Sequence, residues 1–390
     1  MSVCRRAAEV SPFLVMDVLE AAQRLEREGH RVVHLEIGEP DFDTPQCIKD
    51  AACRALAENR THYTHSLGLL ELREAICARY QTRYGVCLDP DQVLVTSGTS
   101  PAMWLLFSAL LEEGDEVIVS DPGYACYKNF IRFTGAMAQP VPVTEADAFQ
   151  YRIEAIRERL HDRTRMVLVN SPANPTGQVM DSEGMARLAG LCAERGLKLV
   201  SDEIYHGLVY EGRERSVLEF TDEAFVFNGF SKLYAMTGWR LGWLVAPKRL
   251  MRGLQKLAQN FFISASAPAQ WAGVAALTLP EARADVARMV ATYDERRRYL
   301  LDRLKGLGFD IPIPPTGAFY VLVNCKALAA HFGGSSLDLA FDILDKAHVG
   351  VAPGVDFGPG AEGYLRLSYA TDLANIAEGM DRLGRYLERF

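Results

Sequence analysis

The sequence predicts an α/β protein, in which a three-layer large domain with a mainly parallel sheet is followed by a smaller α+β domain. Three observations carry this reading. At 390 residues the chain is longer than one hydrophobic core usually organises. From about residue 90, short β-branched runs alternate with longer helical patterns, the rhythm of parallel strands joined by crossover helices. After Pro268 that rhythm gives way to one long Arg- and Ala-rich helical stretch with fewer buried runs. The expected division is an N-terminal arm over 1–44 that packs on the small domain, a large domain over 45–278 and a small C-terminal domain over 279–390. No long Gly/Ser linker, fixed-period repeat or low-complexity tract interrupts it, so the units must be joined through structured segments.

The elements follow in order. The chain opens MSVCRRAAEV and runs into SPFLVMDVLEAAQRLEREG, an amphipathic helix expected to have Ser11 as its N-cap and Pro12 at its first position, unlike a signal sequence. Strands are predicted at VLVTSG (93–98), EVIVSDP (116–122), MVLVNSP (166–172), LKLVSDE (197–203), AFVFNGFSK (224–232) and GWLVAP (242–247). Several are apolar until their carboxyl ends, where Ser120 and Asp121, Asn170 and Ser171, Ser201 and Asp202, and Ser231 and Lys232 appear. Ligands of open α/β sheets sit outside the carboxyl ends of strands, so these distant residues are expected at one site. A long helix over roughly 279–306, the strand GAFYVLVNC, a helix near 336–347, the strand YLRLSYA and a closing helix complete the chain.

Composition removes several function classes. Hydrophobic residues make up 49% and charged residues 24%, a balance that buries a large core, and the net charge of −8 argues against nucleic acid and anionic membranes as partners. The longest apolar stretch, around Met103 to Leu111, is too short for a membrane span. Eight scattered cysteines show no CxxC and no zinc-like spacing, so no metal site is expected, and free thiols point to a reducing cytoplasm. His206, His62 and His65 also lack metal spacing and read as structural or surface residues.

Two segments carry chemistry. In VLVTSGTSPAM a strand leads to Ser97, Gly98, Thr99 and Ser100 before a helix expected to open at Pro101; free N–H groups, hydroxyls and a Gly there form a phosphate cup, although the same residues also serve turn geometry. In NGFSKLYAMTGWRLGW, Ser231 and Lys232 follow a buried strand and Arg240 lies eight residues on. Burial lowers a lysine pKa towards the neutral amine that attacks aldehydes.

Together GEPDFDTP, SGTSPA, NSPANPTG, SDEIY, FSKLYAMTGWRLGW and YLRLSYA resemble the class I/II aminotransferases, fold type I enzymes that use pyridoxal 5'-phosphate. The resemblance runs from about Gly38 to Ser368 in the family's order. It implies that Lys232 carries the cofactor and moves the proton at the substrate α-carbon, that Asp202 pairs with the ring nitrogen, and that Tyr205 and Asn174 bond the ring hydroxyl. Tyr124 would stack on the ring, with Tyr127 as a neighbouring candidate. Thr99, Ser100, Ser231 and Arg240, in the cup begun by Ser97 and Gly98, would hold the phosphate. Tyr63 resembles a tyrosine that reaches the phosphate of a neighbouring subunit, which implies a homodimer. Arg366 would capture the substrate α-carboxylate bidentately, joined by the Gly38 amide and by Asn174.

The implied activity is transfer of an amino group from an amino acid to a 2-oxo acid by a ping-pong mechanism. Dicarboxylate-specific relatives place a lysine where this chain has Ser100, or draw an arginine from the partner in the region matching Asn260 to Gln270, which contains none. Phe13, Phe262 and Phe319 are apolar candidates for the side-chain pocket, so a neutral or hydrophobic donor is favoured. Aspartate as donor, with Arg24 or Arg132 as the missing cation, and a same-fold lyase breaking a Cβ–S bond are the alternatives. A noncatalytic effector-binding domain is a third, for which no DNA-binding module fits before Gly38.

Overall fold

The computed structural model describes residues 3–390; Met1 and Ser2, at the head of the expected arm, lie outside the described residues. Among the described residues twelve strands follow in chain order: β1 (Val33–His34), β2 (Val93–Thr96), β3 (Glu116–Asp121), β4 (Met137–Pro142), β5 (Thr164–Asn170), β6 (Lys198–Asp202), β7 (Phe225–Gly229), β8 (Gly242–Val245), β9 (Tyr320–Asn324), β10 (Val349–Gly350), β11 (Ala352–Pro353) and β12 (Tyr364–Ser368).

Seven of them form one sheet in the order β2-β8-β7-β6-β5-β3-β4. Side chains alternate between two buried faces: Val167 and Val169 of β5, Leu199 of β6 and Val226 of β7 join one core, while Met166 and Leu168, Val200, Phe225 and Phe227 join the other. Burial on both faces is why these strands read as continuous apolar runs. The strand β4 has no counterpart among the sequence expectations. It is an edge strand carrying Pro140 and Pro142, residues that weaken a strand signal and that only an edge tolerates.

All neighbours in this sheet are parallel except β8, which runs antiparallel to both β2 and β7. That reversal positions the site. The amino end of β8 lies at the sheet edge where the other strands end, so Arg240, just before β8, arrives beside Ser231 and Lys232, just after β7.

A second, antiparallel sheet has the order β11-β12-β9 and places Arg366 opposite Leu322 on one side and Ala352 on the other. The helix Pro280–Gly306 packs on the closing helix Leu373–Leu387 beside it. The N-terminal segment joins this part of the molecule: β1 pairs in parallel with β10, and the arm helix Leu14–Arg27 buries Val18, Ala21 and Ala22 against Leu344.

The arm helix corrects one expectation. It begins at Leu14 with Phe13 at the capping position, so neither Ser11 nor Pro12 plays its expected role. The first N–H groups of the helix are satisfied by a distant carboxylate, and Ser11 is tied by its backbone to Asn129 instead. The helix after β2 likewise opens at Thr99, two residues before Pro101. Among the described residues, no helix is long and apolar enough to cross a membrane.

Candidate active site

The carboxyl-end edge of the large sheet, the second sheet and the arm helix enclose a cleft of about 360 Å³. Lys232 reaches its floor from the turn after β7, and its Nζ donates to the Gly38 carbonyl at 2.5 Å. Burial pushes the amine down to about 8; Arg366 and Arg240 push the same way, while Glu39 and Asp202 oppose them. A lysine in this state has a usable fraction of nucleophilic amine near neutral pH.

Asp202, the last residue of β6, lies across the floor and is almost fully buried. The Tyr127 hydroxyl donates to its Oδ2 at 2.6 Å and the Ile204 N–H to its Oδ1 at 3.1 Å. Burial nevertheless pushes its carboxyl up to about 6. A buried carboxylate with so little compensation is a place for a cationic group. Tyr127 is therefore an orienting donor rather than a ring that lines the cleft by stacking alone, whereas the Tyr124 ring packs edge-on against both Tyr127 and Phe13. The backbone of the same edge is fixed by Asn170, whose side chain donates to the Asp202 carbonyl at 2.9 Å and accepts from the Asn174 N–H at 2.8 Å.

At the other end of the floor, Gly98 turns the chain with φ of +92° into the helix Thr99–Leu110. A Cβ at Gly98 would meet Nη2 of Arg240 at 2.6 Å, so the guanidinium lies against the bare backbone of the turn. Thr99, Ser100, Ser231 and Arg240 all line the cleft here. Helix N–H groups, hydroxyls and a guanidinium converging beside a glycine suit a phosphate.

Arg366 occupies the end formed by the second sheet. All five residues of β12 are buried, Leu365 and Leu367 in the main core and Arg366 against the cleft on the opposite face of the strand. The guanidinium sits between aromatic faces, 4.3 Å from the Tyr320 ring centroid and 4.9 Å from that of Phe357. Nη1 donates to Asn174 Oδ1 at 3.0 Å, Nη2 donates to the Glu36 carbonyl, and Nε is buried without a partner. A buried cation with an unused N–H suits a carboxylate. Gly38 is nearby for a steric reason, since a Cβ there would fall 2.5 Å from the Tyr320 hydroxyl. That hydroxyl shares a 2.8 Å hydrogen bond with Tyr205, whose own ring lines the cleft. Tyr320 is a site residue that the sequence reading missed; the apolar run YVLVN hides it, and only its strand position opposite Ser368 of β12 would have pointed to it.

Some candidates lie elsewhere in this chain. Ser97 and Phe262 line a separate small pocket behind the turn, Phe319 is fully buried with its ring against Tyr205 and Tyr293, and of the three phenylalanines only Phe13 faces the cleft. Tyr63 is 81% exposed and outside the cleft. His206 is buried against Tyr84 and Glu203, away from the cleft, and Arg132 donates to the Glu9 carbonyl on the surface. Among the described residues, no group of three or more His, Cys, Asp or Glu side chains could hold a metal ion.

The family model for aminotransferase class I and II matches residues 30–383, from before Gly38 to beyond Arg366. The chain belongs to this family. Over 388 residues this aminotransferase is 40% identical to the (5-formylfuran-3-yl)methyl phosphate transaminase of Methanocaldococcus jannaschii, covering 99% of each chain. It is 39% identical over 383 residues to the valine–pyruvate aminotransferase of Mycobacterium tuberculosis, covering 97% of each. Its fold is similar to that of the aspartate aminotransferase from Thermus thermophilus with maleate, with a TM-score of 0.94, 38% identity and 99% of both chains covered.

Proposed function

We propose that this aminotransferase binds pyridoxal 5'-phosphate in the cleft and takes a neutral or hydrophobic amino acid as donor, passing the amino group to a 2-oxo acid. The observation that carries the donor class is the allocation of charge. Three cations line the cleft among the described residues: Lys232 at the floor, Arg240 at the phosphate end and Arg366 at the carboxylate end. None is left for a second carboxylate, and the apolar lining of the cleft is built from Phe13, Val15, Met16, Leu19, Ile37, Met103 and Ile204. The valine–pyruvate relative supports this reading, while the aspartate aminotransferase with maleate supports aspartate as the second one.

In this reading Thr99, Ser100, Ser231 and Arg240 hold the phosphate, Asp202 faces the ring nitrogen, Tyr205 and Asn174 face the ring hydroxyl and Tyr124 covers the ring. Bound there, the cofactor supplies an aldehyde for the amino group and a ring that delocalises the electron pair left by the α-proton. The chain's own residues do the rest. Asp202, fixed by Tyr127, keeps a negative charge against the ring nitrogen. Arg366, held by Asn174 and two aromatic faces, binds the α-carboxylate and aims the α-hydrogen at Lys232 Nζ, which takes and returns the proton. The apolar wall excludes water from the bound side chain.

The active form is proposed to be a cytoplasmic homodimer divided as 1–44, 45–278 and 279–390. Phe261, Phe262 and Ile263 are 59%, 38% and 46% exposed, and the Tyr63 loop is bonded to theirs from the Thr64 N–H to Ser264 Oγ at 3.4 Å. These side chains form one apolar face that a second copy would cover, bringing Tyr63 to the partner's phosphate end. The test of the whole proposal is the half-reaction of the holoenzyme with single amino acids, followed by the absorbance change as the cofactor aldehyde becomes its amine. Leucine, methionine, valine and phenylalanine should drive it faster than aspartate; the reverse order would favour the dicarboxylate reading.

A further inference from the structure

The arm helix Leu14–Arg27 has no capping side chain of its own, because Phe13 stands where a Ser, Thr, Asp or Asn would serve. Its first N–H groups are answered from 342 residues away: Leu14 donates to Oδ1 of Asp356 at 3.1 Å, and Val15 donates to Oδ2 of the same carboxylate at 3.2 Å. Asp356 is 2% exposed, so no water replaces these bonds. A carboxylate at a helix amino terminus also meets the positive end of the helix dipole. Just upstream, the arm is tied to the other side of the cleft, where the Asn129 side chain accepts from the Ser11 N–H at 3.1 Å and donates to the Ser11 carbonyl at 3.0 Å. Only Pro12 and Phe13 lie between the two tethers.

Asp356 also belongs to the turn that faces the carboxylate end. It sits in the turn Gly354–Phe357, whose Phe357 ring carries the Arg366 guanidinium on one face, while Val15 packs with Ala352 and Phe357. One short turn therefore holds the carboxylate receptor and the first turn of the helix that supplies Phe13, Val15, Met16 and Leu19 to the apolar wall. The two positions cannot drift independently.

We propose that Asp356 is a positioning residue for side-chain selection: by capping the arm helix it sets the distance between the α-carboxylate receptor and the apolar wall, and so which amino acid side chains are accepted. The proposal rests on the apolar-donor reading above. Loss of the cap frays the first helical turn and displaces Phe13, Val15 and Met16, which a large side chain feels and a methyl group does not.

The test compares wild-type, Asp356→Asn and Leu14→Pro holoenzymes with phenylalanine, leucine and alanine, together with amide exchange. Asn keeps the volume but turns an N–H donor towards the Val15 N–H; Pro at the first helical position removes only the Leu14 donor and suits the helix there. For Asp356→Asn, kcat/KM for phenylalanine and leucine should fall roughly tenfold or more, mainly through KM, while alanine stays within about threefold. Leu14→Pro should shift the ratio in the same direction by less, and exchange over residues 15–19 should quicken in both variants with the sheets unchanged. Equal losses for all three amino acids, unchanged ratios in both variants, or unchanged exchange over 15–19 overturn the proposal. If the wild type itself shows no preference for phenylalanine and leucine over aspartate, the donor reading fails, and the exchange measurement still decides whether Asp356 holds the helix.

Discussion

The Tyr127 hydroxyl points at Asp202 Oδ2 from 2.6 Å away, the shortest side-chain tie that the cleft floor makes to the helix Tyr127–Phe133. It counteracts the burial that raises the Asp202 carboxyl to about 6. Tyr127→Phe should therefore raise that carboxyl further, moving the acid limb of the kcat/KM profile to higher pH. Asp202→Asn should lose activity at every pH, by more than about tenfold, since a hydrogen bond to a charged group is worth about 1.5 to 3 kcal/mol. An unmoved acid limb in Tyr127→Phe would assign the ring-nitrogen partner to another residue.

Lys232 should be the residue that becomes covalently labelled. Borohydride treatment of the holoenzyme followed by peptide mapping should place the pyridoxyl group there, and Lys232→Ala should retain cofactor through the phosphate end while losing turnover. With its amine pushed down to about 8, capture of the cofactor by the apoprotein should accelerate as pH rises through that value rather than near 10.5. Labelling at any other lysine would refute the assignment.

Tyr63 is almost bare in a single chain, and its role is expected to appear only across two. In mixed dimers with one Lys232→Ala chain, Tyr63→Phe on the lysine-bearing chain leaves the surviving lysine a native partner tyrosine, whereas Tyr63→Phe on the Lys232→Ala chain gives it an altered one. Cofactor affinity at that lysine should depend on which chain carries the tyrosine change. Independence from the arrangement would remove the shared site.

Ser100 faces the cleft at the start of the helix Thr99–Leu110. Ser100→Lys supplies the cation the pocket lacks, and should raise kcat/KM for aspartate about tenfold or more relative to leucine, the size of one charge-assisted contact. A specificity constant for aspartate already above those for leucine and phenylalanine in the wild type would overturn the apolar-donor reading.

A buried pair behind the site should shape the pH dependence of stability. Glu203 is fully buried, accepts from Ser216 Oγ at 2.9 Å and the Val217 N–H at 3.0 Å, and is pushed up to about 8 chiefly by burial. The folded chain then binds more protons than the unfolded one between the ordinary 4.5 and about 8, so this group's contribution to stability is full below that window and lost as pH rises through 8. His206 acts oppositely: burial holds its imidazole well below the ordinary 6.5, so acidification below that value costs stability. Glu203→Gln should flatten the alkaline slope of Tm against pH and leave the acid slope. An undiminished alkaline slope would place the titration elsewhere.

The sheet was legible because its strands are buried on both faces and turn polar where they end. That pattern alone gathers Asp202, Lys232 and Asn170 at one sheet edge. The edge strand β4 escaped it because prolines occupy two of its six positions. Ser11 misled for a different reason: a capping residue need not be local, and no window of sequence around residue 11 contains Asp356. Tyr320 and Tyr127 were missed as orienting groups since each looks like core until its hydroxyl is given a partner. Ser97 was placed by adjacency to real site residues, and the tight turn at Gly98 separates it from Thr99 and Ser100; Phe262 was placed by its apolar side chain alone, which instead lines the separate pocket with Ser97.

The setting of Arg366 has a consequence for what the enzyme refuses. Its neighbours, two aromatic faces, a carbonyl and an amide oxygen, are already in place and carry no negative charge. An amine that lacks a carboxylate would leave that guanidinium sealed beneath the arm with its charge unanswered, a state several kcal/mol above the paired one. With Arg366 as the proposed carboxylate receptor, simple alkylamines should therefore be refused even where the side chain fits the apolar wall, and the choice between amino acids and their decarboxylated counterparts should be made at binding, before any bond to the substrate is broken.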